Sequence, residues 1–69
     1  MDKLTDRQRQ VLTLLLWGLT AKQVARRLHI DSRTVETHRE DAVKRLGVRD
    51  RHELMIIAAA DGVFNEVPT

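Results

Sequence analysis

Three helical runs in this chain are preceded by a threonine or aspartate that is followed, three residues later, by a glutamine or glutamate: Thr5 with Gln8, Thr20 with Gln23 and Asp50 with Glu53. Each pair stands ahead of a segment whose apolar residues recur at helical intervals. An oxygen-bearing N-cap side chain satisfies a backbone N–H that has no partner inside the helix. The residue three positions on can bond back to the cap's own amide, so the pattern marks a helix start. Glycines stand where such helices must stop, at Gly18, Gly47 and Gly62, because a left-handed residue beyond the last turn suits glycine. This punctuation predicts four helices, at about 6–17, 21–28, 32–46 and 51–61, and no segment alternates with the period of a strand. The expected fold class is all-α.

The apolar faces follow from the same spacing. Leu4, Gln8, Val11, Leu12, Leu15 and Leu16 share one side of the first helix, and Val24, Ala25 and Leu28 one side of the second. Asp31 caps the third helix, with Ser32 as a close rival. Val35, His38, Ala42 and Leu46 form its inward row; Glu36, Thr37, Glu40, Asp41 and Lys44 lie opposite. Leu54, Ile57 and Ala58 complete the core from the fourth helix, and Trp17 covers it. Residues 1–69 read as a single domain, with 63–69, which contain Pro68, as a frayed tail.

Composition excludes several classes. There is no cysteine, hence no disulfide framework and no thiolate metal site. The longest apolar run, Leu54 to Ala60, is seven residues, against the ~20 of a membrane-spanning helix. No secretory pattern opens the chain, so the expected location is cytoplasmic, with no membrane partner. The three histidines are scattered, and neither a glycine-rich phosphate loop, a nucleophile motif nor metal-ligand spacing occurs. No catalysis, metal or cofactor is therefore expected, and His38 reads as a packed structural residue.

The net charge of +2 conceals an asymmetry. Residues 22–51 hold nine Lys/Arg against five Asp/Glu, whereas 52–69 hold three acids and no Lys or Arg. A basic centre beside an acidic end fits a one-sided footprint for an anionic polymer. Only His29, Ile30 and Asp31 separate the second and third helices. A short helix, a tight turn and a longer helix with a polar outer face form the unit that lays a helix in the major groove of DNA.

The residues that carry this pattern run Leu4-Thr5-Asp6-Arg7-Gln8, Val11-Leu12, Gly18-Leu19-Thr20-Ala21-Lys22-Gln23-Val24-Ala25 and Leu28-His29-Ile30. They continue as Thr34-Val35-Glu36-Thr37-His38, Lys44-Arg45-Leu46-Gly47-Val48 and Arg51. From Leu4 to Ala60 the chain resembles the LuxR-type (NarL/FixJ/GerE-like) helix-turn-helix domain of bacterial transcription regulators. The resemblance implies four helices, a helix-turn-helix unit at about 20–46 that binds double-stranded DNA, and a fourth helix often used for dimerisation. Such domains usually follow a receiver or ligand-sensing domain; none is present here, so the chain reads as a fragment or a stand-alone member.

Roles follow in part from chemistry and in part from the resemblance. Helix N-termini attract phosphates through unpaired N–H groups and the positive end of the helix dipole. That points to Thr20, Ala21 and Lys22 at one helix start and to Ser32, Arg33 and Thr34 at the next. The resemblance places Lys22, Thr34 and Arg51 near the DNA backbone. It places base reading on Glu36, Thr37 and Glu40, with Arg39 and Lys44 as further candidates. A carboxylate can accept a hydrogen bond from the cytosine amino group. The competing reading pairs Glu36 with Arg33 or Arg39, and Glu40 with Lys44, as ordinary helix-surface ion pairs. A fourth helix apolar nearly all round predicts a homodimer contact at Met55, Ile56, Ala59 and Val63. RNA polymerase is a further candidate partner. Two other readings stay open: a promoter-recognition module like region 4 of sigma factors, and a protein-interaction module using the acidic residues of the third helix.

Overall fold

A computed structural model describes residues 3–63. Its element order is α1 (Asp6–Leu16), α2 (Ala21–Leu28), α3 (Ser32–Leu46) and α4 (Arg51–Ala60), an all-α fold. Two boundaries are one residue shorter than the spacing predicts: Trp17 and Asp61 are C-caps rather than last helical residues. Of the expected tail, 64–69 lie outside the described residues, and Val63 is fully buried in the core rather than frayed.

The caps show why the chain breaks where it does. The Thr5 hydroxyl accepts from the Gln8 N–H at 3.1 Å while Gln8 Oε1 accepts from the Thr5 N–H at 3.1 Å. This reciprocal pair lets Gln8 stay buried without an unsatisfied amide backbone beside it. At the other end of α1 the Leu19 N–H donates to the Leu14 carbonyl at 3.2 Å and the Gly18 N–H to the Leu15 carbonyl at 3.0 Å. Gly18 sits at φ +102, so these two bonds close a Schellman motif that needs the left-handed residue. α2 closes with the same i→i−5 bond but on a residue other than glycine. His29 takes φ +57, and the Ile30 N–H donates to the Ala25 carbonyl at 3.0 Å. Histidine tolerates this region better than most side chains, which lets the chain turn at once into α3. At α4 the Asp50 side chain accepts from the Glu53 N–H at 2.9 Å, but Glu53 Oε2 reaches the Arg49 N–H at 2.7 Å, one residue ahead of the expected position.

Two small cores result. Val11, Leu14, Val24, Ala25 and Val35 pack beneath the turn between α2 and α3. Leu12, Leu16, Ala42, Leu54, Ala58 and Val63 pack between α1, the second half of α3, and α4. α1 contributes to both, and so does α3, through Val35 to the first and Ala42 to the second. Trp17 is more exposed than a core cover, at 39%, and holds the chain after α4 by donating its Nε1–H to the Val63 carbonyl at 3.2 Å. Arg45 ties the other end down, donating from Nη1 to the Lys3 carbonyl at 3.3 Å.

Ala42 and Ala58 are both fully buried in the second core. Small side chains there let α1, α3 and α4 approach closely, and a larger one must displace a helix. Ala42→Leu is therefore expected to cost about 1–3 kcal/mol, lowering the midpoint of a thermal melt by about 4–8 °C per kcal/mol in a domain of this size. An unchanged melt would show that the α1–α3 contact has room to spare.

Candidate nucleic-acid interface

The residues singled out from the sequence for DNA contact fall into four places. The first is the start of α2. The Thr20 hydroxyl accepts from the Gln23 N–H at 3.2 Å, and Gln23 Oε1 accepts from the Thr20 N–H at 2.8 Å. Those bonds occupy two amides and leave Ala21 and Lys22 with first-turn N–H groups that have no partner inside the helix. Ala21 is half-buried against the first core, so it offers only its backbone, while Lys22 is exposed.

The start of α3 is the second place, and it differs. Asp31 has the extended backbone of an N-cap, at φ −71 and ψ 147, but its side chain makes no cap hydrogen bond. Ser32 is the first helical residue. The opening amides of α3 therefore have neither an intrahelical partner nor a side-chain cap, the arrangement in which a helix end is most receptive to an anion. Arg33 and Thr34 are exposed beside them and Ser32 is half-buried.

The third is the outer row of α3. Glu36, Thr37, Glu40 and Lys44 are all exposed, and a helix of 3.6 residues per turn puts them on one side, opposite the buried Val35 and Ala42. The Thr37 hydroxyl donates to the Arg33 carbonyl at 3.1 Å, which commits its proton to the helix and directs the rest of the side chain outward. Among the described residues neither Glu36 nor Glu40 is in an ion pair, so the helix-surface pairing weighed above does not form. An ion pair between described residues lies elsewhere, Arg9 Nη2 to Asp61 Oδ2 at 3.4 Å. Lys44, with Arg45, also stands in the last turn of α3, where a cation complements the helix dipole.

Arg39 and Arg51 belong to a fourth place. Arg39 follows Val35 by four residues and precedes Ala42 by three, yet it is exposed, so it stands on the flank of α3 between the buried row and Glu36. It lines a cleft of about 290 Å³ together with Arg51 and with Arg49, a residue passed over in the sequence. Arg49's one available signal was its position in the basic stretch leading into α4.

Of the residues predicted to contact a second copy, Met55 and Ile56 are 40% and 56% exposed and Ala59 is exposed. Val63 is a correction: it is fully buried in the chain's own second core and has no surface to offer a partner. Among the described residues no helix is long and apolar enough to cross a membrane.

The family described as bacterial regulatory proteins, luxR family, matches residues 2–58. The transcriptional regulatory protein MctR of Rhizobium johnstonii is 38% identical over 66 residues, 96% of this chain and 31% of its own length. The nitrate/nitrite response regulator protein NarL of Escherichia coli is 33% identical over 64 residues, 93% of this chain and 30% of its own. The spore germination protein GerE of Bacillus subtilis is 38% identical over 53 residues, 77% of this chain and 72% of its own. The chain thus spans about a third of the length of MctR and NarL and most of GerE. No solved structure matches it.

The Thr20–Gln23 box shapes the start of α2 whether or not a phosphate sits there. Thr20→Ala should lower stability by about 1 kcal/mol through loss of the cap, seen as an earlier thermal melt. Thr20→Ser should restore it, since serine caps at least as well. Equal melts for the native chain and Thr20→Ala would show that the box contributes nothing.

Proposed function

The chain belongs to the luxR family of bacterial regulatory proteins, and on that premise we propose that it is a sequence-specific, double-stranded-DNA-binding module of transcription regulation that lays α3 in the major groove. The observation that carries this reading is the exposed outer row of α3, free of ion pairs among the described residues, together with two helix starts that keep amides open to phosphate. The major groove is about 12 Å wide, and a helix with its side chains measures about 10–12 Å, so α3 fits it as a single rod.

Affinity on this reading comes from the phosphates and selectivity from the base edges. The amides of Ala21 and Lys22 and the Lys22 ammonium hold one stretch of backbone; Ser32, Arg33 and Thr34 hold a second at the head of α3. The Thr20 hydroxyl, whose oxygen already caps α2, retains a proton to donate. Arg51 adds a contact from the first turn of α4. Glu36 and Glu40 accept from cytosine amino groups, the Thr37 methyl meets a thymine methyl, and Lys44 donates to guanine. Because a carboxylate repels phosphate, the same two glutamates weaken binding to every non-cognate sequence. The module works in the cytoplasm, where the chromosome is.

A second copy is proposed to pack on α4. Met55, Ile56 and Ala59 present an apolar strip, and Ile56 adjoins a shallow depression formed with Leu46, Val48 and Ile57. A two-fold pair would read two half-sites. The greater length of MctR and NarL leaves room for a sensory or receiver domain, and RNA polymerase for a further partner.

Selection of bound duplexes from a random pool tests the reading at its centre. The native chain should enrich one motif, with affinity falling steeply as salt rises. Glu36→Ala and Glu40→Ala should each relax one cytosine position, a discrimination of about 1–3 kcal/mol, while raising affinity for random DNA. A uniform gain across all sequences would mean that the carboxylates read no base, and no binding at low salt would overturn the DNA reading. Sedimentation at micromolar concentration, with and without the selected duplex, tests the pair: Ile56→Lys should leave a monomer where the native chain associates, and a native monomer in both states would refute it.

A further inference from the structure

The cleft beside α3 holds a feature that the assignments above leave unused. Its walls are apolar, with Leu12, Leu15 and Leu16 of α1 and Val43 of α3 among them, and three arginines line it: Arg39 from α3, Arg49 from the turn, and Arg51 from α4. A single acid, Asp50, shares the lining, and its carboxylate is engaged by the Glu53 N–H at 2.9 Å. None of the three arginines forms an ion pair among the described residues. All three are exposed.

Three guanidinium groups lining one cleft of about 290 Å³ make its mouth electropositive, which favours an anion there. Apolar walls behind them sharpen the field, because a low-dielectric surface lined by one sign of charge concentrates it. Guanidinium is also the group best shaped to hold phosphate by two parallel N–H bonds. Arg39 leaves α3 from the flank between the buried Val35 and the exposed Glu36 and lines the cleft, whereas Glu36, Thr37, Glu40 and Lys44 are absent from its lining. An arginine so placed can lay its aliphatic stem against the apolar wall and keep its charged head in water. A helix that fills the major groove has a phosphate strand along each flank.

We infer that Arg39, Arg49 and Arg51 form a phosphate clamp that grips the DNA strand on the α4 side of α3, so that Arg39 positions the domain on the backbone and reads no base. This rests on the DNA reading above and extends it by one residue that nothing else assigns, Arg49, and by a changed role for another, Arg39. The apolar floor suits the occupant, since the deoxyribose between two phosphates offers carbon to the leucine and valine side chains while the phosphates meet the guanidinium groups.

Salt dependence separates a phosphate contact from a base contact. Each phosphate neutralised contributes about 0.9 to the slope of log affinity against log salt. Arg39→Gln, Arg49→Gln and Arg51→Gln should each reduce the slope by about one and leave the ranking of selected sequences unchanged. Arg39→Lys and Arg49→Lys, which keep the charge, should retain most of the slope. Arg7→Gln, which removes an equal charge from the exposed side of α1, should leave it as in the native chain. Thermal melts of every variant establish that the fold persists. A changed base preference in Arg39→Gln would overturn the clamp and return Arg39 to the reading face. Slopes in Arg39→Gln and Arg49→Gln equal to that of Arg7→Gln would overturn it as well. In both cases the native chain still binds duplex, whereas failure of the native chain to bind at all refutes the DNA reading itself.

Discussion

Burial of α1 on two sides is the constraint on which the rest of the molecule depends. Val11 and Leu14 face one core, Leu12 and Leu16 the other. An ordinary surface helix buries one stripe; this one is a wedge, with α2 and the start of α3 on one side and α4 with the end of α3 on the other. In a chain of 69 residues there is too little interior for one large core, and dividing it around a central helix lets each remaining helix be held by only a few side chains. α3 is then anchored at two points, Val35 in one core and Ala42 in the other, about two turns apart. A rod fixed at two points cannot roll, and that is what keeps its outer row outward.

The consequence for recognition is positional. The side chains proposed to meet bases need no pocket and no perturbed chemistry; they need a fixed direction. Thr37 shows how local and tertiary structure cooperate here. Its hydroxyl bond to the Arg33 carbonyl belongs to the helix, whereas its place opposite Val35 and Ala42 belongs to the packing. The caps add a second layer. α2 begins with a closed box and α3 with an N-cap whose side chain forms none. The two helix starts therefore differ in how many amides they keep for a ligand.

Much of this was legible from residue types. Helix starts at Thr5, Thr20 and Asp50 and stops at Gly18, Gly47 and Gly62 follow from local hydrogen bonding and backbone sterics, which act over three or four residues. Other features were not. Asp31 has the right residue type for a cap and makes no cap bond, because a side-chain rotamer answers to its whole surroundings. Val63 lies after the last helix stop, where the spacing predicts the start of a loose end or a dimer contact. It is buried in the second core with Leu12 and Leu16, and the indole N–H of Trp17, 46 residues earlier in the chain, donates to its carbonyl. No spacing rule connects positions so far apart. Glu36 and Glu40 have cations at pairing distance in sequence, and the pairs do not form, in keeping with the small gain such exposed contacts bring.

By itself, the sequence determined the all-α class, the four helices and their order, the turn at His29 to Asp31, and which face of α3 is polar. Each of these rests on interactions between neighbours along the chain, and neighbours are what a sequence displays. Only the tertiary structure decided that α1 is shared between two cores, that Val63 is internal, and that Arg39 parts company with Glu36 and Glu40 to face Arg49 and Arg51 across a cleft. Those outcomes depend on where α4 and the turn before it settle against α1 and α3. That placement is set by shape and burial summed over residues distant in sequence, so no local pattern could have announced it.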